Sequence, residues 1–566
     1  MNKTEKFICL VLGAVLAWYV FSNMKKAASK TPASDTSAAV TNVAAVKAAA
    51  KAAAAADTAA AVEPAAALPS VPERTAVLES DEVKVEVSTY GAVVKRVTLK
   101  DYAQNRGAVS ADNPSVTLDF ADSPLGAGAT LEAFELTQAD ATSATFRAGE
   151  RERVITLKAG YLIELRDRGI SGPLSLGVMR MGDSKNDLIS VDSWSLAAAN
   201  GKGGVVHHGD DDSPLKPYLA GSLGGGCSSS KSAAGMPAKV TVGYPGAQRY
   251  VALKNRFFVT ALAEASEPNA GFTATVTRDV RAEHYRPERV AATVDFAGTG
   301  ATRTATFFVG PKRQALLWQL GMKDVMEFGM WRWVCYPLVW VLNLFHSWVP
   351  NYGIAIILLT ILVRLVFWPL TRKSTEGMKK MQEIQPLMKE LQQKYKDNPQ
   401  RLQQETWQLY REKKVNPLSS CLPMLIQIPV FIALFNVLRS AVELRYAPFL
   451  WIGDLSEPEG LLAAYFPFGG LNLLPVLMAV TTGLQSYFTP SGGDKNQQKM
   501  MMVMMPAMML VMFYSFPSAL SLYWFLSNLF SIVQMWLIRR QTAAAAPAAV
   551  AAADQPPATR QMRRHG

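Results

Sequence analysis

The stretch AIILLTILVRLVFWPLT, Ala355 to Thr371, puts a permanently protonated guanidinium, Arg364, inside an apolar run long enough to enter a bilayer. At mid-membrane such a charge costs about 2.5–3.5 kcal/mol on insertion scales, so it is expected to face a helix-bundle interior or a wet cavity. The alternative is snorkelling. Arg364 precedes Pro369 by five residues, roughly 7–8 Å along a helix, which is within reach of lipid phosphates. Thr360 lies one turn earlier on the same helical face.

This run belongs to the more apolar part of a chain whose averages hide two parts. Over 566 residues the net charge is +12, the hydrophobic fraction 49% and the mean hydropathy +0.08. Residues up to about 313 alternate polar and apolar, whereas beyond them apolar blocks recur that approach the roughly 20 residues needed to cross a bilayer. Candidate spans are Tyr352 to Leu370, Pro423 to about Leu444, Leu471 to Phe488, Val503 to Phe516 and Ser518 to Ile538. Phe7 to Met24, flanked by lysines and carrying Trp18 and Tyr19, reads as a retained anchor and brings the expected number to six. Gln427, Asn436, Thr481, Thr482, Gln485, Ser521, Ser527, Asn528 and Gln534 fall inside these spans, more polarity than isolated helices would expose to lipid.

Loop charge orients the spans. Residues 372–421 carry eleven lysines and arginines, whereas the next loop holds Glu443, Asp454, Glu457 and Glu459 against Arg445. The first is therefore expected in the cytoplasm and the second outside, with both termini inside. The basic balance is explained by this topology without invoking nucleic acid. Within 372–421, apolar residues at three- and four-residue spacing from Met378 through Tyr395, then DNPQ, then Leu402, Leu409 and Tyr410, predict a helical hairpin with Asn398 as N-cap and Pro399 at N1. The hairpin is either a solvated arm or a docking site for a cytosolic partner.

The remaining domains follow from composition. Residues 1–26 are the anchor and 27–70 an Ala-rich linker with no amphipathic face to bury. From 71 to 313, EVKVEVSTYGAVVKRVTL, SVTLDF, ATFRAG, RVITLKAGYLIELRD, AKVTVGY, GFTATVTRD and TRTATFFVG show period-2 patterning, which predicts an antiparallel β-sandwich. Residues 314–350 include MWRWVCYPLVWVLNLFHSWV, whose tryptophan density marks a helix lying in the membrane interface. Residues 351–541 form a five-span core, and 542–566 a basic tail. Cys9, Cys227, Cys335 and Cys421 lack ligand spacing. His207 to Asp212, HHGDDD, is a polar loop rather than a metal site, so no metal or cofactor is expected. No GxxxxGK[ST], HExxH or GxSxG motif occurs, which argues against an enzyme.

ILVRLVFWPLT, KKVNPLSSCLPMLIQIPVFIALFNVL, SAVELRYAPFLWIGDLS and FPSALSLYWFLSN, in this order, closely resemble the YidC family of bacterial membrane protein insertases. The resemblance is strong from Trp331 to Arg540, and the order of anchor, β domain, FFVGPK and interfacial helix matches the Gram-negative form. It implies an inner-membrane insertase and chaperone for newly made membrane proteins, acting alone or beside the Sec translocon, with a β-supersandwich in the periplasm. It also implies a hydrophilic groove open to cytoplasm and lipid, with Arg364, Thr360 and Gln427 as groove residues and Tyr523 and Trp524 contacting the passing helix. Contacts with lipids, the ribosome and the signal recognition particle pathway belong to the same expectation. KMMMVMMPAMMLVMF adds an apolar slide from Met508, Met509, Met512, Ile428 and Phe431, with plain span filler and a copper(I) site as alternatives. The rival function is a small-anion transporter or channel with Arg364 as the binding residue. It calls for inverted repeats or broken helices, and neither is evident.

Overall fold

The computed structural model describes residues 72–553 except for internal stretches, the longest being 104–109, 181–189, 196–203, 208–213, 220–236, 279–286, 462–469 and 489–494. The expected anchor, the linker and most of HHGDDD lie outside the described residues. The chain divides into a β unit reaching Phe328, to which Ser440–Tyr446 also belongs, and a helical unit built on Gly329–Arg439 and the chain from Ala447 onward.

In the β unit, seventeen described strands pair antiparallel into sheets of four, nine and four strands, a β-sandwich architecture. Strands such as Val83–Ser88 and Arg151–Lys158 alternate buried Val, Ile and Leu with outward polar residues. Burying each large aliphatic side chain contributes about 1.5–3 kcal/mol. Other strands do not alternate. Leu174–Arg180, Gln248–Lys254 and Phe258–Ala265 are buried on both faces over most of their length, so the period-2 signal that reveals half-buried strands is missing from them. Gly177 sits in the first of these at φ +81, and a Cβ there would lie 2.5 Å from Cδ1 of Phe120, so the aromatic ring packs directly on the strand backbone.

Charge is buried in this unit as well. Asp167 accepts from Arg153 Nε at 2.6 Å and Nη2 at 2.9 Å, and from Arg303 Nη2 at 2.8 Å. All three side chains are almost fully buried. Of the surplus donors, Arg153 Nη1 reaches the Gly126 carbonyl and Arg303 Nη1 the Gly172 carbonyl, each at 2.7 Å, whereas the buried Arg303 Nε has no hydrogen-bond partner among the described residues.

Ten helices are described. Two short ones, α1 (Lys216–Leu219) and α2 (Gln314–Gln319), belong to the β unit. In the helical unit, α3 (Arg332–Trp348) buries Cys335, Val339 and Leu342 and exposes Trp333, Trp340 and Trp348. The Cys335 thiol donates to the Ala433 carbonyl at 3.6 Å. α4 (Tyr352–Glu383) runs 32 residues without a break, past the expected span end at Leu370. The hairpin arm is not one helix from Met378 to Tyr395. α4 stops at Glu383, Ile384 is a turn, and α5 (Gln385–Lys394) starts with a proline in its first turn, because Pro386 has no N–H and its ring excludes a continuous helix. α6 (Pro399–Glu412) is capped by Asn398, whose side chain accepts from Arg401 N at 3.1 Å.

α7 (Leu418–Ser440), α8 (Leu473–Phe488), α9 (Lys495–Phe513) and α10 (Ser518–Ala553) complete the unit. Two described segments are long and apolar enough to cross a membrane, Tyr352–Ser374 and Ser518–Leu537. Ile428–Ser440, Leu473–Phe488 and Met502–Phe513 are shorter apolar helices. The third candidate span ends earlier than expected. α7 stops at Ser440 and a separate 3-10 turn follows at Val442–Leu444, so Glu443 does not continue the helix of Arg439. The Arg439 guanidinium lies over the Phe435 ring, 5.6 Å from its centroid.

Candidate functional site

One end of the helical unit is closed by the loop from Ala447 to Leu461. Glu459 accepts from the Leu473 and Leu474 amides, at 3.0 and 2.5 Å, and from the Trp451 indole at 3.0 Å, so its carboxylate caps the positive end of α8. Ser518 donates its amide and hydroxyl to the Glu457 carbonyl, which ties down the start of α10. Asn472 donates to the Tyr514 carbonyl at 2.7 Å, just past the end of α9. Ile452, Leu455, Ser456 and Glu459 are buried while Leu450 and Trp451 are exposed, so this loop is packed against the helices over part of its length.

Below this loop lies a polar seam. Arg364 on α4 donates from Nη2 to the Ser527 carbonyl on α10 at 2.7 Å and to the Ser527 hydroxyl. Ser527 is nine residues along α10 from Ser518, ~13 Å from the closed end at 1.5 Å per residue. On the neighbouring position, Asn528 donates to Thr482 Oγ1 on α8 at 2.8 Å. The Ser531 hydroxyl also donates to the Ser527 carbonyl, at 2.9 Å. Among the described residues no carboxylate pairs with Arg364. The cation is therefore held by neutral acceptors in a half-buried position and keeps its full charge available.

The other expected site residues divide into several groups. Thr360 is fully buried one turn from Arg364, but its hydroxyl donates to the Ile356 carbonyl of its own helix at 2.7 Å. The Gln427 side chain lies outside the described residues. Tyr523 is buried, and Trp524 stands edge-on to Phe431 at 4.9 Å and tilted against Phe513 at 5.3 Å. Phe431 thereby joins an aromatic cluster of α7, α9 and α10 that Phe435 and Phe516 extend. Met508, Met512 and Ile428 are exposed, whereas Met509 is buried. Val503, Met504 and Val511 widen the exposed apolar face of α9. Ser527 and Ser531 were not singled out as the arginine's surroundings from sequence. The only available signal was the Ser-Asn pair in a span, and it carries no pointer to α4.

A model of the 60Kd inner membrane protein family matches residues 344–545, and one of the YidC periplasmic domain matches residues 229–341. Over these residues the chain is similar to the YidC family. The membrane protein insertase YidC of Syntrophobacter fumaroxidans is 41% identical over 299 residues, 51% of this chain and 53% of the relative. That of Prosthecochloris aestuarii is 34% identical over 352 residues, 60% of each. A crystal structure of an active YidC insertase aligns with 84% of this chain and 94% of its own at 19% identity, with a TM-score of 0.35. The chain spans about half the length of the curated relatives it matches. The first of these matches spans the polar seam and the second the later β strands, so the similarity extends over the candidate site.

Proposed function

We propose that this protein inserts newly made proteins into the bacterial inner membrane and assists their folding, using the seam around Arg364 as the lining of a hydrophilic groove. The observation that carries this reading is the Arg364 guanidinium, held by Ser527 in the helical unit with no carboxylate partner among the described residues. An apolar helix enters a bilayer without fuel, since apolar residues contribute roughly −0.3 to −0.6 kcal/mol each at mid-span, and the barrier is the passage of its polar flank. A groove closed by the Ala447–Leu461 loop at one end and wetted from the other shortens the dry path. An unneutralised cation within it attracts acidic flanks of the client.

In this reading the chain has six spans, five of them forming the groove. Both termini are cytoplasmic and the β unit is periplasmic. The 16 residues of α8 reach ~24 Å, short of a hydrocarbon core of about 30 Å, which suits a locally thinned bilayer. The exposed tryptophans of α3 are placed at the headgroups, and the methionine face of α9 toward lipid or the client helix. Action beside the Sec translocon, and ribosome contact through the hairpin and tail, are part of the same proposal.

The test is insertion of a small client with an acidic outer segment into protease-protected form, in vesicles containing Arg364→Ala or Arg364→Lys protein at matched abundance. Loss with Ala and retention with Lys is the expected result. Equal insertion by both variants and the unaltered protein would remove Arg364 from the mechanism.

A further inference from the structure

Ser527 and Asn528 are neighbours on α10 that bind different helices. The Asn528 amide is bonded to Thr482, and Asn528 is buried against α8. That bond fixes the rotation of α10. A helix advances about 100° per residue, so once Asn528 faces α8, Ser527 is committed to a different neighbour, and that neighbour is Arg364 of α4. The Ser527 carbonyl takes donors from both Arg364 and Ser531. Its hydroxyl is the only side-chain acceptor for Arg364 among the described residues.

We infer that Ser527 is a positioning and specificity-setting residue. It is a neutral stand-in that holds the Arg364 guanidinium in the empty groove and gives it up to a client carboxylate. This rests on the groove reading above and goes beyond it by naming what the client displaces. A neutral acceptor suits the role because a charge-assisted bond to a carboxylate is roughly twice as strong as one to a neutral group, so exchange favours an acidic client. A carboxylate in place of the hydroxyl would occupy the cation permanently.

The measurement is the ratio of insertion yields for two versions of one client, with acidic and with neutral outer flanks, in vesicles containing full-length protein at matched abundance. Ser527→Asp is expected to lower the acidic-to-neutral ratio at least about tenfold. Ser527→Asn, which changes size but not charge, is expected to alter it by no more than about twofold. Ser527→Ala removes the hydroxyl acceptor and is expected to raise the ratio about three- to tenfold, because the guanidinium has one fewer competing partner. A merely structural role would move both clients together and leave the ratio flat. If Ser527→Asp protein does not accumulate, Ser527→Ala decides: a rise supports the role, and a flat or lower ratio overturns it. Arg364→Ala separates the two levels. If it lowers the ratio while Ser527→Asp and Ser527→Ala both leave the ratio unchanged, this inference fails and the groove reading stands. If Arg364→Ala leaves the ratio unchanged, the groove reading itself fails.

Discussion

The Asn528 amide donates to the Thr482 hydroxyl at 2.8 Å, and both side chains are buried between α8 and α10. The Thr482 hydroxyl itself donates to the Met478 carbonyl at 2.8 Å, so its acceptor and donor roles are both filled. In a bilayer, where apolar contact between helices gains little over apolar contact with lipid, such bonds set which faces meet.

Asn528→Ala is accordingly expected to weaken α8–α10 association by about 0.6–1.7 kcal/mol. A lowered thermal midpoint in detergent would register it.

Glu459 serves three donors with one buried carboxylate at the start of α8. Glu459→Gln replaces an acceptor oxygen with an NH2 group facing donors and is expected to cost about 1–3 kcal/mol. Amide exchange at Leu473 and Leu474 should quicken. Unchanged protection at both would refute the capping role.

In the β unit, Asp167 is the one carboxylate among the described residues that pairs with the buried guanidinium groups of Arg153 and Arg303. Asp167→Asn is expected to destabilise the unit by about 3–5 kcal/mol, the usual cost of stranding a buried charge. Limited proteolysis of the full chain would detect it as earlier cleavage between residues 72 and 328 during denaturant titration. Lys95, paired with Glu73 near the surface, is expected to matter by under about 1 kcal/mol.

The Lys158 ammonium bound to the Glu164 carboxyl holds it below its ordinary 4.5, against the opposing effect of burial and with help from Arg166. A carboxyl depressed in the folded state contributes stability that is present above its unfolded value near 4.5 and lost as pH falls through the lower folded value. Glu164→Gln is therefore expected to flatten the acid limb of a stability profile below about pH 4.5 and to leave its shape near neutrality unchanged. Because Lys158 is half exposed, the effect is expected to stay below about 1 kcal/mol.

Burial pushes the Cys335 thiol up to about 12. At pH 8 the thiolate is scarce, and slow alkylation by maleimide is the expected outcome, read peptide by peptide in folded detergent-solubilised protein. Labelling as fast as in urea would contradict the buried contact with Ala433.

The sequence by itself determined that Arg364 needs either an interior or a snorkelling path to the headgroups, because an uncancellable charge in an apolar run has few physical solutions. It also determined the half-buried strands, whose alternation records one wet face and one dry one, and the Asn398-Pro399 helix start, which is local chemistry. Only the tertiary structure decided what lies 163 residues away from Arg364, since a helix face gives a direction but no partner. It decided that the Thr360 hydroxyl turns back to Ile356, a choice between two acceptors that spacing leaves open. It decided which strands fill the centre of the nine-stranded sheet, because burial on both faces erases the period that marks a strand. And it placed Asp167 between two arginines. Low-dielectric burial makes such pairings decisive, and they depend on chain segments meeting in space, which no local pattern encodes.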